Sequence, residues 1–431
     1  MKTLIKNGTV IDPANGIDRA ADILMENGRI AAVLNPGQSV DADEVIDASG
    51  LLVCPGLVDA HVSVREPGFE EDETIASATA AALAGGFTSI ATAPDSNPVV
   101  DNRGSAEFVL RQAERANNCR VYPLGAVTKG CQGQELAEIG QLVQGQAVAF
   151  SDGKTPIANA EVMRRALEYT GMFGKAILHY SLVPELADTG VMHEGFESVR
   201  LGLRGIPAAA NDIMTGRDIA LADLTQGRVH IMCVTTEDAV ERIHRAQVRK
   251  LNVTADVAPH HLLLTDEVMR SFDTLYKCNP PLRTRNHVNA LIQGLKDGVI
   301  TVISCDHQPV AIEKKAVELD VAPFGLCSLE TALPVLVEAL ILPGHLTWFQ
   351  LIRCLTVGPS ELLNLPHGNL SPGVDADVTL IDPSERWTID ASKFRSLARN
   401  TPFDRREVVG RAVATIVGGE IRFQTRPFPG G

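Results

Sequence analysis

The chain has 431 residues, which is enough to bury a large core in one barrel with additions or in two or three domains. A net charge of −14 argues against nucleic acid or an anionic membrane as a partner, and no apolar run of about 18 residues is present to span a bilayer. The eight cysteines include no C-x-x-C pair, and the first eight residues reach a polar Asn-Gly too early for a secretory signal. These features predict a cytoplasmic protein with buried, reduced thiols.

Short β-like runs alternate with turns over residues 1–54, where Asn-Gly pairs at 7–8, 15–16 and 27–28 are hairpin signals. Short β-like runs and turns also occur near the C-terminus, where a Gly-Gly turn lies at 418–419. An irregular tail starts at Gln424. Two small β segments at opposite ends of a chain can pair with each other. We therefore predict one composite β-sandwich from residues 1–54 and 370–425, beside a central domain over residues 55–369.

The central domain alternates eight apolar runs with helical patterns. Helices are predicted over residues 74–84, which stop at Gly85-Gly86, and over residues 235–249, where apolar side chains recur with a period near 3.6. Eight strand-helix units predict a parallel (β/α)8 barrel of the TIM type. A doubly wound open sheet is the alternative, and eight units favour closure. The runs span residues 51–61, 88–94, 121–127, 147–152, 176–179, 229–234, 253–259 and 302–306.

Seven of the eight runs end in residues that can bind a metal. In a barrel the C-terminal ends of the strands form the active face. A single histidine there is more often a hydrogen-bonded structural residue than a ligand, but seven such endings indicate a functional barrel mouth. The endings are His61, Asp95, Asp152, His179, Cys233, His260-His261 and Asp306-His307.

Several short motifs together resemble dihydroorotases of the long bacterial type, within the amidohydrolase superfamily. The likeness covers nearly the full length and includes P-G-L-V-D at 55–59, R-E-P-G at 65–68, G-G-F-T at 85–88, P-H-H-L-L-L at 259–264, N-P-P-L-R at 279–283 and A-P-F-G at 322–325. The resemblance implies a metallo-barrel with a β-sandwich made from both chain ends. It also implies a two-zinc site that opens or closes the ring between dihydroorotate and carbamoyl aspartate.

The metal-binding positions that the resemblance implies are only partly filled. They are His61, Asp152, His179, Cys233 and Asp306, the last also matching the catalytic aspartate. Ser63 stands in place of the second histidine of the motif, and a hydroxyl is a poor zinc ligand beside imidazole. Cys233 replaces another histidine. As a thiolate it could hold one zinc with Asp152 and His179, and the alternative is a buried apolar thiol.

The positions that contact the substrate in the family also differ in this chain. The resemblance implies that Arg65 and Asn279 contact the anionic substrate, but Asp95 replaces an asparagine and Val310 replaces a histidine. A like charge in a partly desolvated pocket opposes binding of an anion. The alternative for Asp95 is a turn residue before Pro98.

Three carboxylates would crowd the same barrel mouth: Asp95, Asp152 and Asp306. We expect either a pairing with a nearby cation or a raised pKa on one carboxyl group. The candidate cations are Arg65, His61, His179 and Lys154.

Two further segments are predicted to be structural. The turn at His260-His261 should hydrogen-bond to backbone near the barrel rim, and residues 306–320 carry enough Lys and Glu to form a solvated lid.

These departures predict a degenerate site with no cofactor, or with one zinc in the alternative. The resemblance then implies a catalytically inactive homologue in pyrimidine biosynthesis, a homo-oligomer that serves as an assembly subunit for the catalytic subunit of aspartate carbamoyltransferase. A second hypothesis is a one-zinc hydrolase of cyclic amides with Asp306 as base. A third is an allosteric barrel that senses a pyrimidine intermediate.

Overall fold

The computed structural model describes residues 1–428, so the irregular tail predicted from Gln424 onwards falls partly on residues 429–431, outside the described residues. The strands are β1 (Lys2–Asp12), β2 (Ile17–Glu26), β3 (Arg29–Leu34), β4 (Glu44–Asp47), β5 (Leu52–Pro55), β6 (Leu57–Val62), β7 (Phe87–Thr92), β8 (Arg120–Gly125), β9 (Ala149–Phe150), β10 (Ala176–His179), β11 (Met192–His193), β12 (Gly205–Ile206), β13 (Arg228–Ile231), β14 (Val253–Val257), β15 (Val302–Ile303), β16 (Val378–Thr388), β17 (Glu407–Val417) and β18 (Glu420–Gln424).

The helices lie mostly between the strands of the central domain. They are α1 (Ile75–Gly85), α2 (Arg103–Ala116), α3 (Ile139–Gln144), α4 (Ala160–Gly171), α5 (Pro184–Ala187), α6 (Phe196–Leu201), α7 (Ala208–Thr225), α8 (Glu237–Val248), α9 (Pro259–Leu263), α10 (Arg285–Lys296), α11 (Ile312–Lys315), α12 (Ala332–Leu336), α13 (Trp348–Leu355) and α14 (Val357–Leu363). Across the described residues, no helix combines the length and apolarity that a membrane crossing requires.

Eight parallel strands form the central barrel, in the order β6, β7, β8, β9, β10, β13, β14 and β15. A parallel bridge between Val62, at the end of β6, and His307, after β15, joins the first strand to the last. Every residue of β6 is buried, as expected for a parallel sheet with both faces covered. The predicted (β/α)8 barrel is therefore confirmed, and the open doubly wound sheet is excluded.

The first apolar run is two strands rather than the single strand predicted. β5 pairs antiparallel with β16 in the sheet formed by the chain ends, whereas β6 begins the barrel. Gly56 lies between them, and an added Cβ at this position would lie 2.0 Å from Oγ1 of Thr88. The chain thus passes from one sheet to the other at Gly56, because any larger residue would clash with the side chain of Thr88.

Both chain ends contribute to one eight-stranded sheet. Its order is β18, β17, β16, β5, β1, β2, β3, with β4 also paired to β1. β1 forks the sheet, because its residues 3–6 pair with β4 and its residues 9–10 pair with β5. The forked sheet encloses its own core, in which Ile23, Val53 and Val378 are fully buried. The predicted β-domain built from both chain ends is confirmed.

Capping residues set the ends of the two predicted helices, α1 and α8. The side chain of Thr74 accepts a hydrogen bond from the Ser77 backbone at the start of α1, and Gly86 ends the helix with φ of 92°. At the start of α8, the Thr236 side chain accepts from the Ala239 backbone. Both helices lie within two residues of their predicted bounds.

Two regions differ from the sequence-based expectation. An insertion between β10 and α7 forms a two-stranded parallel sheet, β11 with β12, that carries α6. In the predicted solvated lid, Lys315 is 2% exposed and its ammonium donates to the backbone carbonyls of Thr274, Lys277 and Pro323. That part of the segment is packed against the barrel, because a buried ammonium requires such partners.

Candidate active site at the barrel mouth

The C-terminal ends of the barrel strands surround a cavity of about 520 Å³. Six of the residues predicted for the site line it: Arg65, Asp95, Asp152, Asn279, Asp306 and, as a candidate cation, Lys154. Three others, His61, His179 and Cys233, are buried behind this lining with 1–2% exposure. The strands therefore bring the predicted residues to one end of the barrel, in two layers.

Arg65 and Asp95 form an ion pair on one side of the cavity. Oδ2 of Asp95 accepts from Nη1 of Arg65 at 3.1 Å and from the Ser63 hydroxyl at 2.7 Å. Nη2 of Arg65 donates to the side-chain oxygen of Gln308 at 3.2 Å. The guanidinium is thus engaged by groups of the chain itself, and Asp95 has the predicted internal partner.

Lys154 and Asp306 form a second ion pair. The ammonium nitrogen of Lys154 lies 2.6 Å from Oδ1 of Asp306 and 3.2 Å from Sγ of Cys233. Burial alone lowers the pKa of Lys154, but the Asp306 carboxylate and the Cys233 sulfur outweigh it and raise that pKa above its usual value. Burial, reinforced by Asp306, raises the pKa of Cys233 to about 11, so that this thiol is protonated near neutral pH.

His61 belongs to a buried cluster centred on Asp256, a residue that the sequence analysis missed. Oδ2 of Asp256 accepts from Nε2 of His61 at 2.9 Å and from Nε2 of His230 at 2.8 Å, while Oδ1 accepts from the Cys233 backbone at 2.9 Å. Burial opposes charge on His61, but Asp256 raises the pKa of this histidine well above its usual value. A carboxylate in the middle of an apolar strand, as in V-T-A-D-V at 253–257, was the available signal.

The side chains of Asp152 and His179 both accept hydrogen bonds from backbone N–H groups. One oxygen of Asp152 accepts from the backbone of Val127 at 2.8 Å and of Thr128 at 3.0 Å, and the other accepts from the Thr128 hydroxyl. Burial nevertheless raises the pKa of Asp152, as expected for one of the three carboxylates. Nε2 of His179 accepts from the Ile157 backbone at 2.9 Å, and Nδ1 lies 2.7 Å from Asp218.

A family model described as Dihydro-orotase-like matches residues 50–239. The chain is 47% identical over 426 residues to a dihydroorotase of Pelotomaculum thermopropionicum, with 99% of each chain covered. It is 46% identical over 424 residues to a dihydroorotase of Syntrophotalea carbinolica, with 98% of this chain and 99% of that one covered.

The chain belongs to the dihydroorotase family. Solved structures with the same fold include the L-hydantoinase of Arthrobacter aurescens, with a TM-score of 0.88, 24% identity, and 99% of this chain and 97% of that chain covered. The dihydropyrimidinase of Brevibacillus agri gives a TM-score of 0.84 and 22% identity, with 100% and 96% covered. The family that the motifs predicted is confirmed.

The donor set does not fit the two-zinc centre that the resemblance to dihydroorotases implies. Within residues 1–428, only two groups bring three possible metal donors within 4.8 Å of one another: His61, Cys233 and Asp256, and separately His260, His261 and Cys278. The predicted one-zinc set of Asp152, His179 and Cys233 is not one of these two groups: Asp152 and His179 accept from backbone N–H groups, and Cys233 lies beside His61.

Two other residues singled out in the sequence have different outcomes. Nε2 of His261 lies 3.0 Å from the backbone oxygen of Pro280, as predicted, but neither ring nitrogen of His260 has a hydrogen-bond partner in the described part of the chain. The backbone-bonding prediction is therefore wrong for His260. Asn279 lines the cavity and its side-chain oxygen accepts from the Tyr180 hydroxyl.

Proposed function

We propose that this chain is a catalytically inactive member of the dihydroorotase family that serves as an assembly subunit for aspartate carbamoyltransferase in pyrimidine biosynthesis. One observation carries the proposal of inactivity: the Lys154 ammonium lies 2.6 Å from Asp306 and 3.2 Å from Cys233. A cation of the chain itself thus contacts the matched catalytic aspartate and a matched metal position. Because Asp306 is engaged in this ion pair, it is not free to accept a proton during catalysis.

The substrate side supports the same proposal. Arg65, the cation expected to bind the substrate carboxylate, is paired with Asp95 at 3.1 Å. Dihydroorotate is an anion, so it would have to displace Asp95 and then remain close to its negative charge. Such a repulsive element in a partly desolvated pocket discriminates against the family substrate.

A direct assay of ring opening tests the inactivity. We expect no conversion of dihydroorotate by the full chain with added Zn²⁺, under conditions in which the Pelotomaculum thermopropionicum relative, named a dihydroorotase, provides the positive control. Measurable conversion that Asp306→Asn abolishes would overturn the proposal.

The insertion after β10 offers a surface for assembly. Phe196 and Val199 on α6 are 78% and 81% exposed, and residues three apart lie on the same side of a helix. Apolar side chains grouped on a surface are typical of protein–protein contacts. This surface supports the assembly role, and the partner is proposed from the family resemblance.

A mass measurement tests the assembly. We expect a defined complex, detected by light scattering, when the chain is mixed with the aspartate carbamoyltransferase catalytic subunit of the same organism. Phe196→Asp with Val199→Asp should abolish it. Val248→Asp is the matched control, because Val248 is 69% exposed but lies at the end of α8, on the opposite side of the barrel from the mouth. Absence of a complex with the unsubstituted chain would refute the assembly role.

The second candidate function is hydrolysis of a cyclic amide with one zinc. The observation that favours it is the approach of donor atoms of His61, Cys233 and Asp256 to within 4.8 Å of one another, behind the lining of the mouth cavity. A neutral cyclic amide such as hydantoin would avoid the charge of Asp95. Turnover of hydantoin that disappears in Cys233→Ser, together with one bound zinc ion, would favour this candidate over the inactive subunit.

A further inference from the structure

A second cluster of histidine and cysteine lies beside the mouth and has no role in the proposed function. His260 and His261 lie on α9, directly after β14, and Cys278 precedes Asn279. The two imidazole rings are 4.3 Å apart between centroids, and Sγ of Cys278 lies 3.9 Å from Nε2 of His261. One donor atom from each residue lies within 4.8 Å of the others, and all three residues are at most 2% exposed.

Three ring nitrogens of this cluster are buried with no hydrogen-bond partner among residues 1–428: Nδ1 and Nε2 of His260, and Nδ1 of His261. Each such group costs about 1–3 kcal/mol when it is left unsatisfied, so their presence together requires an explanation. Nε2 of His261 lies 3.0 Å from the backbone oxygen of Pro280. The Nε2 that lies 3.9 Å from the Cys278 sulfur is thus within hydrogen-bond distance of this carbonyl, and Nδ1 is the other nitrogen that His261 can offer to an ion.

We propose that His260, His261 and Cys278 bind one Zn²⁺ ion. Two imidazoles and a thiolate are donors that zinc prefers, and Cys278 lines the mouth cavity, from which water can supply a fourth ligand. Zinc lies about 2.1 Å from nitrogen and about 2.3 Å from sulfur, so the donors of a tetrahedral shell lie about 3.4–3.6 Å apart. The donor atoms, which lie within 4.8 Å of one another, therefore have to approach by up to about 1 Å.

The protonation states of the three side chains suit this ion. Burial lowers the pKa of both histidines, that of His260 to about 3, so both imidazoles are neutral and available at pH 7. Burial raises the pKa of Cys278 to about 12, so the thiol is protonated before the ion arrives. Binding forms a Zn–S bond, breaks the S–H bond and releases the proton to the buffer. Calorimetry in buffers of different ionisation enthalpy should therefore show about one proton released per ion.

Cobalt(II) serves as a spectroscopic probe of the zinc site in the full chain. We expect a thiolate-to-cobalt charge-transfer band at one equivalent, which Zn²⁺ removes by displacement. Cys278→Ser should abolish the band and weaken Zn²⁺ binding at least about 100-fold. Cys233→Ser is the matched control and should retain both, because Cys233 belongs to the separate cluster with His61 and Asp256.

Two results would overturn the inference: a band that survives Cys278→Ser but disappears in Cys233→Ser, or no band in the unsubstituted chain. X-ray absorption on the unsubstituted chain with one bound zinc provides a check that does not depend on a variant folding. We expect one sulfur and two imidazoles around the ion, and a coordination shell without sulfur would refute the site. The dihydroorotate assay measures a different property, so failure here and failure of the proposed function are distinguishable.

Discussion

The ammonium nitrogen of Lys154 lies 2.6 Å from Oδ1 of Asp306, across the mouth of the barrel. Lys154 follows β9, the fourth barrel strand, and Asp306 follows β15, the eighth, so the two residues come from opposite sides of the ring. The Asp306 side chain is 2% exposed and its charge requires a counter-charge. The chain supplies that counter-charge itself, where the family resemblance places divalent ions.

Removing the ammonium should destabilise the protein. We expect Lys154→Met to lower the free energy of unfolding by about 2–4 kcal/mol at pH 8, because Asp306 is then buried without its partner. Urea unfolding followed by circular dichroism measures this change.

A second substitution shows whether the effect arises from the ion pair. Asp306→Asn added to Lys154→Met should restore most of the lost stability, since a neutral amide does not require a cation. The matched control is Lys129→Met, which breaks an exposed pair with Glu135 and should cost less than about 1 kcal/mol. Equal losses for Lys154→Met and Lys129→Met would contradict the prediction.

Asp95 should decide whether the cavity accepts an anion. We expect Asp95→Asn to strengthen the binding of dihydroorotate at least about tenfold, because it removes a like charge and frees Arg65 from its 3.1 Å pair. Isothermal titration calorimetry measures the dissociation constant. Glu135→Gln makes the same change of net charge at an exposed side chain and should leave that constant unaltered. An unchanged dissociation constant for Asp95→Asn would show that this carboxylate does not exclude the substrate.

Glu330 should make the stability depend on pH. Its Oε1 accepts from the Arg395 backbone at 2.8 Å and the Ser396 backbone at 3.1 Å, but burial dominates and raises the pKa of this carboxyl group to about 7. Between about pH 4.5 and pH 7 the unfolded chain loses this proton while the folded chain keeps it. Stability therefore falls as the pH rises through this window, by at most about 3 kcal/mol.

The variant Glu330→Gln should lack this contribution, because the amide does not ionise but keeps an oxygen for both backbone donors. Urea unfolding at pH 5 and pH 8 gives the comparison: the loss of stability between these values should be smaller in Glu330→Gln than in the unsubstituted chain. An identical loss in both would mean that Glu330 ionises normally in the folded protein.

The fold was largely predictable because its signals are local. The strand predicted over residues 176–179 is β10, since a buried parallel strand is a short apolar run, and Thr74 and Gly86 cap α1 by their own chemistry. The division of residues 51–61 was not predictable from hydrophobicity. All of these residues are buried, although two different sheets bury them.

The site was predictable in part, because pairing depends on directions that a sequence pattern does not contain. Arg65 and Lys154 were expected as partners for the mouth carboxylates, and both pairs form. The neighbours of Cys233 were not predicted. This residue has a left-handed backbone with φ of 51°, and its backbone N–H donates to Asp256, which places it with His61 instead of Asp152 and His179.

His179 should prove to be a structural residue. Its Nε2 accepts from the Ile157 backbone at 2.9 Å, and its Nδ1 lies 2.7 Å from Asp218, so both ring nitrogens are engaged. We expect His179→Leu to lower the free energy of unfolding by about 2–3 kcal/mol, since it leaves the buried Ile157 N–H without its acceptor and removes one partner of the buried Asp218 carboxylate, which keeps Arg217 and Ser181. The number of bound zinc ions, measured by atomic emission, should not change.

His244→Leu is the control for His179→Leu, because His244 is exposed on α8 and its replacement should change stability by no more than about 0.5 kcal/mol. If His179→Leu kept its stability but lost a bound ion, His179 would be a metal ligand after all. The mouth would then bind a metal ion despite the pairing of Lys154 with Asp306. That result would count against the proposed inactivity of this chain.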